Sequence, residues 1–283
     1  MQNQTLFFIV VYPQAFPFFE EVCECARNQT RKDFDIVVVN DGCDEVALEA
    51  LLENLNAKII DAVDSIAGNR LLGLEYACKN HYKYLFFCDA DDTFTENRYA
   101  RVLDEFESSH ADIVVCNLNV ADEKCTPIIK DYFSEEIPND RWINSEFLKD
   151  KNIMGMSNTA IRVDSIPRNL SIPDISIVDW YLFTIFLLQG LHARYIKDSL
   201  VNYRQYNANM IGITCFDVIT FKKLADYKIT HYRMLIENGY VQYQDLYQDS
   251  EELKKLSDDE IVEIISNHLA IHPQPLWWQI IKK

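Results

Sequence analysis

The feature that most constrains the fold is a short apolar run, residues 84–88, which ends abruptly in three carboxylates, Asp89, Asp91 and Asp92. A continuously apolar run of this length is typical of a strand buried on both faces of a parallel sheet under helices. Side chains at the carboxyl end of such a strand face the crevice where open α/β sheets bind ligands. The pattern therefore predicts three acidic side chains in one cleft.

These carboxylates predict a metal site. Like charges held this close resist ionisation unless a cation joins them. Carboxylate oxygens are hard ligands, and they favour Mg²⁺ or Mn²⁺. The alternative is an ordinary acidic turn after a strand, since Asp is common in turns.

Strands and helices alternate along the first 117 residues, which is the signature of βαβ units around a parallel sheet. The predicted strands are 6–11, 35–39, 58–60, 84–88 and 112–117, and the predicted helices are 17–28, 45–55, 69–80 and 96–109. Right-handed crossovers would place the strand ends Tyr12, Asp41 and Asp89 along one edge of the sheet.

The rest of the chain is less regular. We predict strands at 128–133, 159–162, 193–196 and 200–204, and helices at 145–150, 178–189 and 216–239. Gly190 is a C-terminal stop signal for the helix at 178–189. Ser257 and Glu260 form a capping-box pattern that opens a last helix.

Composition limits the partners and the compartment. The formal net charge of −17 argues against a nucleic-acid partner, which would require a basic surface. An acidic protein that binds phosphates needs a cation, so the charge is consistent with a metal site. The eight cysteines form no CxxC pair, and no apolar run approaches the length of a membrane span. We therefore expect a reduced, cytoplasmic protein with no transmembrane segment. Residues 276–283 would either pack onto the domain, which we favour, or contact the inner face of the membrane peripherally.

Asp41 is a second candidate binding residue. It follows a buried strand and precedes Gly42, so its carboxylate can accept a hydrogen bond from a nucleobase N–H. The alternative is a simple Asn-Asp-Gly turn. Because Asp41 and Asp89 both end strands of one predicted sheet, one could hold a base while the other binds a metal under its diphosphate.

With these motifs in this order, the chain resembles the family 2 glycosyltransferases of the GT-A fold. The matching segments are 6–11, 37–42, 70–73, 86–92, 178–180 and 203–212. The resemblance implies a mostly parallel central sheet flanked by helices in residues 1–212, and the helical patterns beyond it predict a C-terminal extension at 213–283. It also implies metal-dependent, inverting transfer of a sugar from a nucleotide-diphosphate donor to a saccharide or other hydroxyl acceptor.

The same resemblance implies roles for individual residues. Asp179 would be the catalytic base, and Asp89 and Asp91 would hold Mn²⁺ or Mg²⁺. The implied nucleotide-binding residues are Tyr12, Pro13, Asp41, Arg70 and Asp89, and further phosphate or donor contacts would come from Asp92, Arg204 and Tyr206. A compatible second role for Asp179 is to complement the dipole of the helix that it opens.

The chain departs from the family pattern at three places. The first strand ends in Tyr12-Pro13-Gln14-Ala15, Leu71 stands where Asn is common, and Tyr206 stands where the family has a histidine. A phenol is a poorer metal ligand than an imidazole, so Tyr206 would either weaken the metal site or act by hydrogen bonding. Arg204 could contact phosphate or serve as a structural pair at a strand end.

Two other functions fit parts of the pattern. Asp89-Ala90-Asp91-Asp92-Thr93 satisfies the D-x-D-x-T motif of haloacid-dehalogenase-type phosphatases, with Asp89 as nucleophile and Asp91 as acid/base. A protein that binds a nucleotide-sugar without catalysis would explain Tyr206 and the altered first turn. An EF-hand is excluded, because the sixth loop position is Phe94 instead of glycine.

Overall fold

The strands and helices of the chain are seen in a computed structural model that describes residues 3–168, 170–206, 217–271 and 276–279. The strands are β1 (Thr5–Val11), β2 (Phe34–Asn40), β3 (Ala57–Asp61), β4 (Tyr84–Asp89), β5 (Thr93–Phe94), β6 (Ile113–Ala121), β7 (Pro127–Ile129), β8 (Arg141–Ile143), β9 (Thr159–Arg162) and β10 (Ala193–Arg204). The helices are α1 (Phe19–Arg27), α2 (Glu45–Leu51), α3 (Ile66–Lys79), α4 (Arg98–Ser109), α5 (Val178–Leu188), α6 (Val218–Glu237), α7 (Gln244–Lys254) and α8 (Asp258–Ile271).

One sheet organises the fold, with strand order β3-β2-β1-β4-β9-β6-β10-β5. The pairs β3-β2, β2-β1, β1-β4 and β6-β10 are parallel, whereas β9 is antiparallel to both β4 and β6. The prediction of a mostly parallel sheet flanked by helices is therefore confirmed.

Continuous apolar sequence explains the central strands. Every residue of β1 is buried, as are the first five residues of β4. The rings of Phe7 and Phe86 stack between these strands with centroids 4.9 Å apart. Helix α3 approaches β1 so closely that a Cβ on Gly73 would lie 2.6 Å from the Phe8 ring. This packing buries the strands on both faces and leaves their ends to form the site.

Several local predictions differ from the structure. Residues 145–150 form turns instead of a helix, and β5, β8 and α7 were not predicted. The strands predicted at 193–196 and 200–204 are one strand, β10, with register shifts between Ile196 and Val201. In this irregular stretch the backbone N–H of Lys197 donates to Asp140 Oδ1, and the Ser199 hydroxyl donates to Asp131 Oδ1. Of residues 128–133, only the start belongs to a strand.

The C-terminal helices are joined to the rest of the protein. Tyr232 and Leu235 of α6 belong to the main core, while Phe221 and Leu224 pack with Ile261 of α8 in a second cluster. The predicted domain boundary at 212/213, part of the 203–212 segment and residue 216 lie outside the described residues, so the division stays a prediction.

Within the described residues, no helix has the length and apolarity needed to cross a membrane. Residues 276–279 of the predicted tail lie against the protein, with Leu276 buried in the main core. Residues 280–283 lie outside the described part of the chain.

Candidate active site

Three strand ends meet at one edge of the sheet. In the parallel register Val11 pairs with Asn40, and Val10 pairs with Asp89. The backbone N–H of Asp41 donates to the carbonyl of Val11 at 2.8 Å. The structure thus brings Tyr12, Asp41 and Asp89 together at the carboxyl ends of β1, β2 and β4, where parallel sheets bind ligands.

Asp91 is held by two phenols. Its Oδ2 accepts a hydrogen bond from the Tyr206 hydroxyl at 2.7 Å and another from the Tyr12 hydroxyl at 3.2 Å. Burial and the charge of Asp91 raise the pKa of both phenols above the usual range, so they remain protonated donors. Tyr206 also packs edge-on against Phe18 with ring centroids 5.0 Å apart. Tyr206 therefore acts on the acidic cluster through a hydrogen bond.

Asp89 is bound on both oxygens. Oδ1 accepts from Arg70 Nη2 at 2.6 Å, and Oδ2 accepts from the Ser157 hydroxyl at 3.2 Å. The same Ser157 oxygen accepts from the Asp89 backbone N–H at 3.0 Å. Arg70 Nη1 is buried and has no hydrogen-bond partner among the described residues. Arg70 thus has one guanidinium N–H group that no described residue satisfies.

Asp92 is a buried carboxylate that is only partly satisfied. Its Oδ1 accepts from the backbone N–H of Arg204 at 2.9 Å, while Oδ2 is buried with no partner among the described residues. Burial first, and then the charge of Asp91, raises the pKa of Asp92 well above its usual range. Burial and the charge of Asp89 raise the pKa of Asp91 in the same way. The cluster therefore tolerates its own negative charge poorly, which is the condition that a cation relieves.

Arg204 is buried and bonds to the backbone of the turn that carries Asp91 and Asp92. Its side chain is fully buried, with Nε donating to the Asp91 carbonyl at 2.6 Å and Nη2 to Glu21 at 2.9 Å. The guanidinium also lies 4.4 Å from the centre of the Phe18 ring. These contacts agree with a structural pair at a strand end, the second role considered above.

Asp41 is exposed and is positioned by α3. Its Oδ2 accepts from Asn69 Nδ2 at 3.4 Å, and Asn69 Oδ1 accepts from the Val63 backbone at 2.8 Å. Gly42 has a φ of +90°, which L side chains rarely adopt, and a Cβ there would lie 4.0 Å from Pro13. Asp41 and Pro13 therefore flank the same tight turn at the sheet edge.

Asp179 is the second residue of α5. Its Oδ1 accepts from the Trp180 backbone N–H at 2.8 Å, and its Oδ2 accepts from Asn152 Nδ2 at 3.2 Å. Burial raises its pKa to about 6; the charge of Asp89 also raises it, whereas Arg70 lowers it. Asn152 and Ser157, which bond to Asp179 and to Asp89, lie five residues apart in one loop, so this loop links the two carboxylates.

Three contributing residues, Asn69, Asn152 and Ser157, escaped the sequence analysis. Their partners Asp41, Asp179 and Asp89 lie 28, 27 and 68 residues away, so no local pattern marks them. Asn69 directly precedes Arg70, and that adjacency is the one signal that could have drawn attention to it.

Among the described residues, no group of three or more His, Cys, Asp or Glu side chains is arranged to hold a metal ion by itself. Mg²⁺ in phosphate-binding sites is usually bound through one or two carboxylates, and phosphate oxygens and water complete its coordination.

Comparison with known proteins gives concordant results. A family model described as glycosyl transferase family 2 matches residues 7–166. The curated protein "Uncharacterized glycosyltransferase EpsJ" of Bacillus subtilis (strain 168) is 30% identical over 105 residues, which are 35% of this chain and 30% of that protein.

Two solved structures share the fold. S. aureus TarS 1–349 in complex with UDP-GlcNAc has a TM-score of 0.59 at 12% identity, over 94% of this chain and 73% of that one. The mannosyltransferase PcManGT from Pyrobaculum calidifontis, in complex with GDP-Man and Mn²⁺, has a TM-score of 0.60 at 14% identity, over 96% and 76%.

Proposed function

The chain belongs to glycosyl transferase family 2 and has the GT-A fold, and from this premise we propose that it transfers a sugar from a nucleoside-diphosphate donor to a hydroxyl acceptor. The match to the curated relative spans 30% of that protein's length. The donor class is supported by the nucleotide-sugars named in the complexes of TarS and PcManGT.

The observation that carries the proposal is the convergence of four carboxylates. Asp41 follows β2 and Asp89 ends β4, the two parallel strands on either side of β1. Asp91 accepts a hydrogen bond from Tyr12, which follows β1, and the loop that bonds to Asp89 through Ser157 bonds to Asp179 through Asn152. In our proposal Asp41 accepts a base N–H, while Tyr12 and Pro13 line the nucleotide. Arg70 directs its unpaired Nη1 donor to the diphosphate.

The acidic cluster fits a divalent cation, for which Asp89 and Asp91 would be the protein ligands. Its donors are all oxygen, Asp92 Oδ2 lacks a partner within the described residues, and burial raises the pKa of Asp91 and Asp92. This donor set suits Mn²⁺ or Mg²⁺. When bound, such an ion neutralises the charge that develops on the departing diphosphate.

Asp179 is the proposed general base. With a pKa of about 6, its carboxylate is ionised at neutral pH and can accept the proton of an acceptor hydroxyl. The acceptor oxygen then bonds to the anomeric carbon from the face opposite the departing diphosphate, which inverts the configuration. General-base assistance of this kind contributes about 10²–10⁴-fold to a rate.

The test is a panel of UDP-, GDP-, CDP- and dTDP-sugars with Mn²⁺ or Mg²⁺, in which release of the nucleoside diphosphate is measured. We expect release from one class of donor, loss of that release in Asp179→Asn, and retention of nucleotide binding by the variant. Absence of release from every donor, or full activity of the variant, would contradict the proposal.

A phosphatase is less consistent with the comparisons, because the family model that matches residues 7–166 is glycosyl transferase family 2. A phosphatase also assigns no role to Asp41 or Asp179. Strong turnover of a generic phosphate monoester with Mg²⁺ would favour this alternative. A non-catalytic binding protein would bind nucleotide and release no sugar with either the wild type or Asp179→Asn.

A further inference from the structure

The aromatic segment near the end of the described chain is seated beside the proposed base. We define the C-terminal segment as residues 276–279 and the site loop as residues 152–158. The backbone N–H of Asn152 donates to the carbonyl of Trp277 at 2.7 Å, and the two residues form an antiparallel bridge.

Aromatic packing fixes this pairing. A Cβ on Gly155 would lie 2.9 Å from the Trp277 ring, so only a glycine leaves room for that ring. Trp277 also meets Phe133 and Tyr203 edge-on, with ring centroids 5.4 and 5.2 Å apart. Trp278 lies parallel to Trp180, the residue after Asp179, at 6.2 Å. The C-terminal segment is therefore packed into the protein at the site loop.

The site loop contacts both acidic parts of the cleft. Asn152 donates to Asp179, and Ser157 donates to Asp89. The Asn152 side chain is fully buried, and its amide also exchanges two hydrogen bonds with the backbone of Met154, at 2.9 and 3.0 Å. These bonds fix the orientation of the amide, so the N–H that reaches Asp179 has a defined direction.

We propose that Asn152 is a positioning residue for Asp179 and that the C-terminal segment, through its bridge to Asn152, keeps that residue in place. The proposal rests on the proposed function. The amide donor fixes the plane of the carboxylate and stabilises its ionised form, while the bond from Trp180 holds the other oxygen. An oxygen of Asp179 is then directed consistently towards an acceptor hydroxyl.

Charged and titratable groups near Asp179 come from three other elements. Asp89 ends β4, and Arg70 belongs to α3. From α6, Lys228 and His231 lie against the Trp180 ring, at 5.3 and 3.8 Å from its centre. A change at Asn152 must therefore be compared with a change elsewhere that adds the same charge.

The first experiment needs no enzymatic activity. Asn152→Asp places a second carboxylate against Asp179, so its thermal midpoint should fall further at pH 8 than at pH 5. In the double variant Asn152→Asp/Asp179→Asn the donor and the acceptor are exchanged, so the hydrogen bond can form again. Asp179→Asn should therefore raise the thermal midpoint more in the Asn152→Asp background than in the wild type.

The matched control is Asn117→Asp. Asn117 is also fully buried, and its side chain bonds to Ser134 and to backbone N–H groups. Asp179→Asn should raise the midpoint of this variant only as much as that of the wild type. If Asn152→Asp and Asn117→Asp gain equally from Asp179→Asn, the inference is wrong.

The second experiment measures positioning in the active enzyme. Asn152→Ala and Trp277→Ala should each lower kcat by about 10²-fold, the scale of a misplaced catalytic group. Asn152→Ala should also move the acidic limb of the kcat profile to higher pH. Nucleotide affinity should stay unchanged, because the nucleotide contacts come from other residues.

Phe106→Ala is the control for Trp277→Ala, since Phe106 is a fully buried ring that stacks on Tyr84 at the start of β4. It should lower the thermal midpoint without lowering kcat. Equal kcat losses in Phe106→Ala and Trp277→Ala would contradict the inference. If the wild type released no sugar while the stability cycle still showed coupling, the proposed function would fail and the Asn152–Asp179 contact would stand. If the wild type transferred sugar but the stability cycle showed no coupling, the proposed function would stand and the role of Asn152 would fail.

Discussion

At the scale of single residues, the candidate site combines side chains that the sequence marks and others that it hides. Asp41 and Asp89 could be named in advance because each follows an apolar run, and Asp179 because it opens an apolar helix. Ser157 and Asn152 sit in an irregular loop, and nothing near them in sequence indicates their partners. The buried position of the Arg204 guanidinium could not be predicted either, because it depends on Phe18 and Glu21, more than 180 positions earlier.

Asp179 should give the protein two pH signatures with opposite signs. If it is the base, kcat/KM should fall as pH drops through about 6, where the carboxylate becomes protonated. Burial raises the folded-state pKa from 3.8 to about 6, so the folded protein holds this proton more tightly than the unfolded chain does. The resulting contribution to the free energy of unfolding is fully present below about pH 4 and is lost as pH rises through about 6.

Asp179→Asn should therefore raise the thermal midpoint at pH 8, leave it nearly unchanged at pH 4, and lower transfer by about 10²-fold or more. Thermal scans at both pH values and a kcat/KM profile from pH 5 to 9 provide the measurement. A lower midpoint at pH 8 than the wild type would contradict the burial argument.

Arg70 should control nucleotide affinity. Arg70→Gln removes the cation that pairs with Asp89 at 2.6 Å and also the unpaired donor, so nucleoside diphosphate binding should weaken by about tenfold or more. Arg31→Gln is the matched control, because Arg31 makes an equally short pair with Asp33 on the exposed surface. Titration calorimetry with the best-binding nucleotide measures both, and equal losses would exclude the assigned role.

At the scale of elements, buried strands were easier to predict than their order. The apolar runs of β1, β2 and β4 fixed their positions to within a residue or two. The insertion of β9 between β4 and β6 depends on long-range pairing that no local pattern encodes. Helix α7 was missed because it is largely polar and exposed, and the turn at 145–150 shows that a short helical pattern needs support from tertiary contacts.

Because α3 packs tightly on β1, we predict that one substitution destabilises the protein although it favours the helix. Gly73→Ala should favour a helix by about 0.5–1 kcal/mol in isolation, yet here the new Cβ would lie 2.6 Å from the Phe8 ring. We expect a net loss of about 1–3 kcal/mol in unfolding free energy, typical of overpacking. Gly68→Ala, in the same helix, is the control, because its new Cβ would meet the exposed Val63 side chain and the Ser65 hydroxyl, which can both move, instead of a ring in the core. Urea unfolding of both variants measures the effect. An unfolding free energy of Gly73→Ala equal to that of the wild type would contradict the close packing of α3 on β1.

At the scale of the whole molecule, the protein carries a formal net charge of −17, and its candidate site is built around carboxylates. In our proposal this site binds an anionic donor, so a cation has to lie between the two. The carboxylates would supply only part of the ligands of that cation, and the diphosphate oxygens would supply the rest. The charge balance could be predicted from composition, whereas the contacts of Asp89 and Asp91 with neighbouring side chains are seen only in the geometry.

Metal and nucleotide should therefore stabilise the protein cooperatively. Mn²⁺ alone should shift the thermal midpoint little, whereas Mn²⁺ with the preferred nucleoside diphosphate, at about 100 times its Kd, should raise it by about 5 °C. EDTA should reverse the added shift, and Asp91→Asn should abolish it. Equal shifts by Mn²⁺ with and without nucleotide would contradict the shared site.

The antiparallel β9 divides the sheet into two flanks, with Asp41, Arg70 and Asp89 associated with one and Tyr206 following β10 on the other. Asp179 and its support come from chain segments on either side of β9 in sequence. If the proposed roles hold, natural variation can reshape the later segments while the nucleotide-reading flank stays the same. Related proteins with this arrangement can then evolve new acceptors while they keep the same nucleotide-sugar donor.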